Sequence, residues 1–306
     1  MKIDITDNEV INGIINIDKP SGITSMDVVR QIRQATQQKR VGHGGTLDPM
    51  ATGVIAIAIG SYTRLLEYIL NGDKSYEATI ELGIKTDTYD GDGVIVETKN
   101  SSEILMHHIE KKLPEFTGTF NQTPPLYSAK KIKGKRLYEY ARKQIAVKVN
   151  SSSVSVKLLK ILSFDSPILT LSIMCGKGFY VRSLANDLGI RLGCGDYLKN
   201  LKRTASGAFN TANSISLTDA LKKISSGALK EILVPPDQCL SHFPKIILNG
   251  TLSKHVKNGR PISTNDAPIQ TVENQQLFRA YNNSGEFIAI VKFDQGNLEL
   301  RPNKVF

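Results

Sequence analysis

The sequence has no tryptophan, few cysteines and no long apolar run, and each shortage excludes a class of protein. The three cysteines, Cys175, Cys194 and Cys239, are far apart and form no CxxC pair, so they predict neither a disulfide framework nor a zinc site. Such cysteine usage is typical of a reducing cytoplasm, where we expect this protein. No apolar stretch approaches the roughly 20 residues that cross a bilayer. The polar, acidic N-terminus resembles neither a signal peptide nor a transit peptide.

Acidic residues are also scarce relative to basic ones. Asp and Glu number 29 against 39 Lys and Arg, which gives a net charge of +10 and suggests a polyanionic partner. Most of the excess lies in residues 121–150, where eight bases face the single acid Glu139 and three tyrosines are interspersed. Aromatic rings among cations are expected of a surface that contacts single-stranded or stem-loop RNA. A solvated helix face would intersperse acids with its bases, so the pattern favours a nucleic-acid partner.

The order of predicted elements indicates one large and one small domain. Strands are predicted at 13–20, 54–60, 75–83, 154–164, 168–175 and at 276–282, 285–293 and 298–302, and helices at 25–38, 64–70, 101–113 with a serine N-cap, and from Ser183. Several hairpins without a regular βαβ repeat indicate an α+β fold with a mixed, mainly antiparallel sheet. We expect domains at 1–240 and 245–306, the second a small β-barrel-like unit, with a surface insertion at about 123–150.

The stretch GHGGTLDPMATG, Gly42–Gly53, places the carboxylate of Asp48 in a glycine-rich turn before the apolar run VIAIAIG. It lacks the lysine of a P-loop and the GxGxxG pattern of a dinucleotide fold, so it predicts neither nucleotide site. Pro49 drives Asp48 out of helical geometry, and Gly44 and Gly45 would let a flat ligand approach. Taken alone, the stretch is more simply explained by an Asp that caps its own turn.

Other polar residues stand next to apolar elements. Arg182, in GFYVRSLANDLG, is either a solvated arginine or a buried partner that keeps a carboxylate ionised. Tyr76 opens an apolar strand and could be a core ring, a stacking platform or a proton-transfer group. His43, between glycines and without a nearby Cys or His, is a turn residue or a ring that stacks on a base, and no metal is expected there. His107 and His108 are assigned no role.

Six stretches in order resemble the TruB family of tRNA pseudouridine-55 synthases, over nearly the whole chain. They are GIINIDKPSGITS (13–25), VGHGGTLDPMATGVIAIAIG (41–60), KSYEATIELGIKTDTYDGDG (74–93), TPPLYSAKKIKGKRLYEYAR (123–142), GFYVRSLANDLG (178–189) and LKRTASGAF (201–209). One such motif is modest evidence, whereas six at the family's spacing leave little room for chance. The resemblance implies the pseudouridine synthase fold with a C-terminal PUA domain, and isomerisation of uridine 55 in the T-loop of tRNA.

The resemblance also implies roles for particular residues. Asp48 would be the nucleophile, Arg182 its partner, and Tyr76 would lie against the extruded base and transfer the proton. His43 would stack within the disrupted T-loop, and the basic segment would be a thumb that closes on the T-arm. The substrate-binding residues implied are His43, Lys19 and Pro20 at the floor of the site, Tyr180, Leu201 in the uracil pocket, and the thumb residues Lys130, Lys131, Arg136 and Arg142. Neutralising Lys130, Lys131 and Lys133 is expected to weaken RNA binding.

Departures from the family pattern are few: Gly44, Tyr62, Arg64 and Phe179 stand where other residues are frequent, and none removes a catalytic group. The isomerisation needs neither redox chemistry nor energy input, so we expect no cofactor and no metal. We expect a tRNA T-arm stem-loop as partner, no membrane, no obligate protein partner and a monomer. The carboxylate could attack either the ribose or the uracil ring, and both routes need it ionised, which a nearby guanidinium favours.

Two other functions share much of this pattern. A non-catalytic RNA-binding or tRNA-folding protein would have the same charges, but it gives no reason to keep Asp48, Tyr76 and Arg182 together. The catalytic subunit of a guide-RNA-dependent pseudouridylation particle would share the GTLDP motif and the thumb. Only about a dozen residues precede the first predicted strand and no basic tail follows Phe306, which favours the stand-alone bacterial type.

Overall fold

The computed structural model describes residues 11–132, 134–267, 269 and 274–306 of the chain. Within these residues the strands are β1 (Gly13–Lys19), β2 (Val41–His43), β3 (Thr52–Ile59), β4 (Lys74–Leu82), β5 (Ile84–Thr86), β6 (Ile95–Thr98), β7 (Gly118–Gln122), β8 (Lys131–Ile132), β9 (Lys135–Arg136), β10 (Ser152–Asp165), β11 (Ile168–Cys175), β12 (Asp196–Ser206), β13 (Phe209–Asn210), β14 (Ile215–Ser216), β15 (Lys245–Leu248), β16 (Ile262–Ser263), β17 (Leu277–Asn282), β18 (Phe287–Asp294) and β19 (Glu299–Val305). The α-helices there are α1 (Ser25–Thr36), α2 (Leu66–Ile69), α3 (Met106–Lys112), α4 (Leu137–Arg142), α5 (Val181–Leu192), α6 (Leu217–Ser225), α7 (Pro236–Cys239) and α8 (Gly250–Lys257). None of these helices is long and apolar enough to cross a membrane.

A ten-stranded mixed sheet forms the larger part of the fold. Its order is β14-β1-β3-β12-β4-β11-β10-β7, with β13 paired to β12 and β2 paired to β3. Neighbouring strands are mostly antiparallel, whereas β1 with β14 and β3 with β12 are parallel. The sheet is therefore mixed and mainly antiparallel, in agreement with the prediction from the sequence.

The strand β3 is buried on both faces, as its unbroken apolar run predicts. Successive side chains of a strand point to opposite faces of the sheet. Ile55, Ile57 and Ile59 accordingly join the core that includes residues of α1 and α5. The intervening Val54 and Ala56 belong to a second apolar cluster, which reaches into the C-terminal part of the chain. The position of β3 at the centre of the sheet fixes the glycine-rich loop that precedes it.

Two predicted helix starts are wrong, and competing hydrogen bonds explain both. The helix predicted over 101–113 with a serine cap begins only at Met106, because Ser101 lies in a turn in which Asn100 Oδ1 accepts from the amide of Ser102. The helix predicted to begin at Ser183 begins at Val181. Ser183 donates its hydroxyl to the carbonyl of residue 123 at 2.7 Å instead of capping the helix.

The basic segment leaves the main sheet between two paired strands. β7 and β10 are antiparallel neighbours, with Gln122 opposite Ser152, so residues 123–151 depart from and return to the same edge of the sheet. Within this segment β8 and β9 form a separate two-stranded hairpin, which is followed by α4. Most of its side chains are exposed or half-buried. The segment therefore projects from the sheet and presents its cations to solvent.

The strands after residue 244 form a second, five-stranded sheet in the order β15-β17-β18-β19-β16, with a core of its own. An aromatic cluster joins it to the larger part of the fold. The ring of Tyr62 meets that of Phe306 edge-on at 5.4 Å between centroids, and Phe306 stacks on Phe287 at 5.1 Å. The guanidinium of Arg64 donates to the carbonyl of Val305 and lies over the Phe306 ring. Two departures from the family pattern, Tyr62 and Arg64, thus both contact the C-terminal strand.

Candidate active site

A cavity of about 350 Å³ brings together residues from distant parts of the sequence. Its walls come from the loop before β3, the start of β4, the residues around the start of α5, and β12. The thumb adds Ser128 and Ala129 to the wall. The predicted site residues that line it are Asp48, Tyr76, Tyr180, Arg182 and Leu201.

The loop that carries Asp48 is anchored on both sides of the carboxylate. Leu47 exchanges two hydrogen bonds with the hydroxyl of Ser25, at 2.8 and 3.0 Å. On the other side, the carbonyl of Pro49 accepts from the ammonium of Lys19 at 3.1 Å and from the amide of Gly22 at 2.9 Å. Asp48 therefore lies on a short arch whose ends are fixed to α1 and to the end of β1.

Arg182 engages the Asp48 carboxylate directly. Its Nη2 donates to Asp48 Oδ1 at 2.8 Å and to the carbonyl of Tyr127 at 3.0 Å. Its Nη1 lies 3.2 Å from Asp90 Oδ2, and the carbonyl of Thr88 accepts from it at 3.4 Å. The Arg182 side chain is 5% exposed, whereas that of Asp48 is 29% exposed and faces the cavity. Arg182 is therefore buried behind the Asp48 carboxylate, as the second of its two interpretations predicted.

Burial and nearby charges set the acidity of Asp48 and Tyr76. Burial raises the pKa of Asp48 above the ordinary carboxyl value, and the Arg182 guanidinium opposes this while Asp90 adds to it. Burial likewise raises the pKa of the Tyr76 phenol, and here the opposing cation is Arg203. Each of the two side chains thus has one arginine that offsets part of the cost of ionisation.

Lys19 and Pro20 lie beneath the Asp48 loop and do not line the cavity. The Lys19 ammonium is buried and donates to the carbonyls of Pro20, Ile23 and Pro49 at 2.9, 2.7 and 3.1 Å. Burial lowers the pKa of Lys19 to about 8. The predicted support of the site's floor corresponds to this set of three carbonyl contacts, and Pro20 contributes its carbonyl while its ring remains exposed.

His43 ends β2 and lies outside the lining of the cavity. Burial lowers the pKa of its imidazole, and the positive charges of Arg203 and Arg136 lower it further. Its Nδ1 is buried and has no hydrogen-bond partner among the described residues. The lowered pKa favours the neutral ring, and one of the charges that acts on it belongs to the thumb residue Arg136.

Two of the predicted thumb cations lie beside the ring of the same tyrosine. The guanidinium groups of Arg136 and Arg142 lie 5.9 and 5.5 Å from the centroid of the Tyr138 ring. Lys130 donates to the hydroxyl of Ser152 at 3.1 Å. Lys131 pairs with Arg136 across the β8–β9 hairpin, and Lys133 lies outside the described residues. The arrangement leaves an exposed cationic surface on the side of the cavity that the thumb borders.

Sequence reasoning missed three residues that shape this cavity, Asp90, Lys74 and Arg203. Asp90 stood in a turn-rich loop, where its carboxylate looked no different from that of Asp92. Lys74 opens β4, is buried, and donates to the carbonyls of residues 70 and 72 at 2.8 and 2.7 Å. Arg203 is fully buried and lines the cavity. For Lys74 the available signal was a lysine that opens an otherwise apolar strand, whereas Asp90 and Arg203 carried no local signal.

Two family models of the same kind of enzyme match consecutive parts of the chain. A family model described as TruB family pseudouridylate synthase (N terminal domain) matches residues 33–181, and one described as tRNA pseudouridylate synthase B C-terminal domain matches residues 182–241. A curated tRNA pseudouridine synthase B from Dehalococcoides mccartyi is 42% identical over 97% of both chains. One from a Synechocystis species is 46% identical over 85% of this chain and 88% of its own.

Two solved structures resemble the whole fold. One, described as a Cbf5-Nop10-Gar1 complex, has a TM-score of 0.74 at 25% identity and covers 96% of this chain and 84% of that chain. The other is an H/ACA RNP bound to a substrate RNA containing 2′-deoxyuridine, with a TM-score of 0.74 at 23% identity and the same coverage. Both likenesses concern the fold.

Proposed function

The chain belongs to the TruB family of pseudouridylate synthases, and we propose that it converts uridine 55 in the T-loop of tRNA to pseudouridine with Asp48 as nucleophile. Its family makes it an isomerase that modifies tRNA, with the pseudouridine synthase fold. The observation that supports the catalytic assignment is the Asp48–Arg182 ion pair at 2.8 Å in a cavity that Tyr76 and Leu201 also line.

The proposed reaction explains why these groups meet in one cavity. The bond between N1 of uracil and C1′ of ribose breaks, the base turns, and a bond forms between C5 and C1′. The proton on C5 leaves, and N1 gains a proton from solvent, so the formula is unchanged. The base must be out of its stack before these atoms can be reached. The glycines and Leu201 leave room for a flat pyrimidine beside Asp48.

Each side chain of the site has its own role in this reaction. Asp48 must be ionised to act as a nucleophile, although its burial favours the neutral form. Arg182 opposes that effect through a charge-assisted hydrogen bond, and Asp90 holds the other nitrogen of the same guanidinium. Tyr76 is the group placed to accept the proton from C5. Both routes of attack, on the ribose and on the ring, use the same ionised carboxylate.

We also propose how the rest of the chain binds the tRNA. The exposed cations Lys131, Arg136 and Arg142 and the half-buried Lys130 contact phosphates of the T-arm, and Tyr138 offers a ring for stacking. His43 stacks within the opened T-loop, and Tyr180 contacts the target nucleotide. The domains are 1–240, with the thumb at about 123–150, and 245–306, whose five-stranded sheet is a PUA-like RNA-binding domain. The protein acts as a monomer in the cytoplasm, and its three buried, unpaired cysteines support the reducing compartment.

Stand-alone catalysis is favoured over the two alternatives. The curated relatives named tRNA pseudouridine synthase B are 35–46% identical, whereas the H/ACA chains reach 23–25%. A non-catalytic RNA-binding protein would have no use for Arg182 between two carboxylates next to a cavity. The arrangement therefore supports an enzyme that needs no guide RNA.

The test is tritium release from a T-arm stem-loop labelled at C5 of its uridines, with wild type and Asp48→Asn in parallel. Asp48→Asn keeps the shape of the side chain and removes the nucleophile, so we expect binding without release. Release by the purified variant would contradict the role of Asp48. Binding by wild type without release would instead favour the RNA-binding function.

A further inference from the structure

Arg203 contacts both reactive parts of the site from one buried position. Its Nη2 donates to the carbonyl of Gly45 at 3.1 Å and its Nη1 to that of Thr46 at 3.3 Å. Its Nε donates to the carbonyl of Val54 at 2.7 Å, and Arg203 is the residue opposite Tyr76 where β12 pairs with β4, so that both line the cavity. The first two contacts fix the loop two and three residues before Asp48, and the pairing places the positive charge beside the proposed proton-transfer group.

The charge on Arg203 has no carboxylate partner among the residues that the structure describes; its acceptors there are three backbone carbonyls. Burying a cation costs free energy that neutral acceptors only partly restore. An apolar side chain of similar volume could fill the same space at lower cost. An uncompensated guanidinium beside the Tyr76 hydroxyl is instead suited to a group that carries negative charge during the reaction.

Two glycines on either side of Asp48 lie against this arginine. Gly53 has φ +100°, and a Cβ there would lie 2.2 Å from the carbonyl oxygen of Arg203, because β3 and β12 pair in parallel at these residues. Gly45 has φ +105°, and a Cβ there would lie 3.5 Å from Arg203 Nη1. Gly53 therefore allows β3 to approach the Arg203 backbone closely, and Gly45 allows the loop to adopt a positive φ beside the guanidinium.

We propose that Arg203 is a positioning residue for the isomerisation, which orients the Asp48 loop through Gly45 and Thr46 and holds a positive charge against the Tyr76 phenol. The inference rests on the proposed function. The phenolate oxygen of Tyr76 accepts the proton from C5 and becomes a phenol, and that proton then exchanges with water. Arg203 favours the phenolate before transfer without itself contacting the proton.

The test compares Arg203→Gln, which removes the charge, with Arg203→Lys, which keeps the charge but loses the forked contacts. The matched control is Lys202→Gln, an exposed residue one position earlier on β12. Tritium release is measured in single turnovers across a range of pH, and T-arm binding is measured separately. We expect Arg203→Gln to lower the rate about 100-fold, with binding within about threefold of wild type. Arg203→Lys should lose about tenfold, and the control should match wild type.

The pH profile separates this role from a purely structural one. If Arg203 favours the phenolate, the rate of Arg203→Gln rises with pH through a higher midpoint than wild type, and Arg203→Lys shifts the midpoint less. In a Tyr76→Phe background, Arg203→Gln should cost less than it does alone, because the two residues are coupled. Should Arg203→Gln fail to fold, Arg203→Lys carries the same comparisons of rate, midpoint and coupling.

Three results would overturn the inference: a wild-type rate in Arg203→Gln, a loss explained wholly by weaker binding, or a rate loss with an unshifted midpoint and full additivity with Tyr76→Phe. Failure of the proposed function is a different result. In that case wild type itself releases no tritium, whatever the Arg203 variants do.

Discussion

Arg182 lies between two carboxylates, and its contact with Asp90 is the more deeply buried of the two. The Nη1 atom is 3.2 Å from Asp90 Oδ2, and the side chains are 5% and 6% exposed. Asp48 takes the other terminal nitrogen, Nη2, at 2.8 Å. Asp90 therefore fixes the plane of the guanidinium, and that plane aims Nη2 at the carboxylate that faces the cavity.

Replacement of this second carboxylate should slow the chemistry more than it weakens binding. We expect Asp90→Asn to reduce the single-turnover rate of tritium release by about 10- to 100-fold, because Arg182 loses a charged partner and orients Asp48 less firmly. The measurement pairs the rate with the T-arm dissociation constant. Asp165→Asn, at an exposed carboxyl at the end of β10, is the control and should behave as wild type. An unchanged rate in Asp90→Asn would contradict this account.

The thumb cations should determine the salt dependence of RNA binding. Each phosphate contact releases counterions, so a lost contact lowers the slope of log K against log salt by about 0.7 to 0.9. We expect the triple variant of Lys131, Arg136 and Arg142 to glutamine to lower the slope by about 2, with the rate at saturating RNA reduced less than binding. A variant with Lys222 and Lys223 changed to glutamine, on α6, is the control. An equal slope in the two variants would exclude thumb contacts with phosphate.

Asp196 should make the stability of the protein fall as the pH rises. Its carboxyl is fully buried, neither oxygen has a partner among the described residues, and burial raises its pKa well above the ordinary value, with the charge of Asp187 adding to the rise. The folded state thus binds a proton that the unfolded state releases from about pH 4 upward. The free energy of unfolding is expected to decrease between that pH and the raised pKa of the folded protein.

Urea unfolding of wild type and Asp196→Asn at several pH values tests this dependence. The amide does not titrate, so the variant should lose this contribution to the slope and gain stability relative to wild type as the pH rises, by at most about 1.4 kcal/mol per pH unit. Asp165→Asn, at an exposed carboxyl, is the control. If wild type and Asp196→Asn change in parallel with pH, the carboxyl is not protonated in the folded state.

Gly53 should tolerate no side chain, whereas Gly250 should accept one. Gly53→Ala forces a Cβ against the Arg203 carbonyl at a positive φ, so we expect a loss of about 3 kcal/mol or more in urea unfolding. Gly250 is the first residue of α8 and has open space where a Cβ would lie. Gly250→Ala should leave stability unchanged or raise it by up to about 1 kcal/mol. Equal effects of the two variants would contradict the close approach of β3 and β12.

Some residues of the site could be predicted from sequence motifs, whereas the burial of others could not. Asp48 and Arg182 lie in separate stretches that resemble family motifs, so their pairing could be expected although 134 positions separate them. Asp90 and Arg203 lay inside two of those stretches, but nothing local distinguishes a carboxylate or guanidinium that will be buried from one that will be solvated. Their partners are carbonyls and side chains that only the completed sheet brings near.

The elements show the same division. The burial of β3 on both faces could be predicted because an unbroken apolar run is typical of a strand that is covered on both sides. The start of α3 could not, because Ser101 and Asn100 both have side chains that can bond the backbone, and tertiary contacts decide between them. Helix starts are decided by one or two hydrogen bonds, whereas central strands are decided by many buried side chains.

The thumb is inserted between the paired strands β7 and β10, and this position separates the substrate range of the protein from its chemistry. Because Gln122 and Ser152 are held opposite each other by the sheet, the segment between them can change in length or sequence without altering the register of any strand. The part of the thumb next to the sheet is the exception, because the carbonyl of Tyr127 accepts a hydrogen bond from Arg182. Substrate range can therefore diverge through the outer thumb while the chemistry is inherited unchanged.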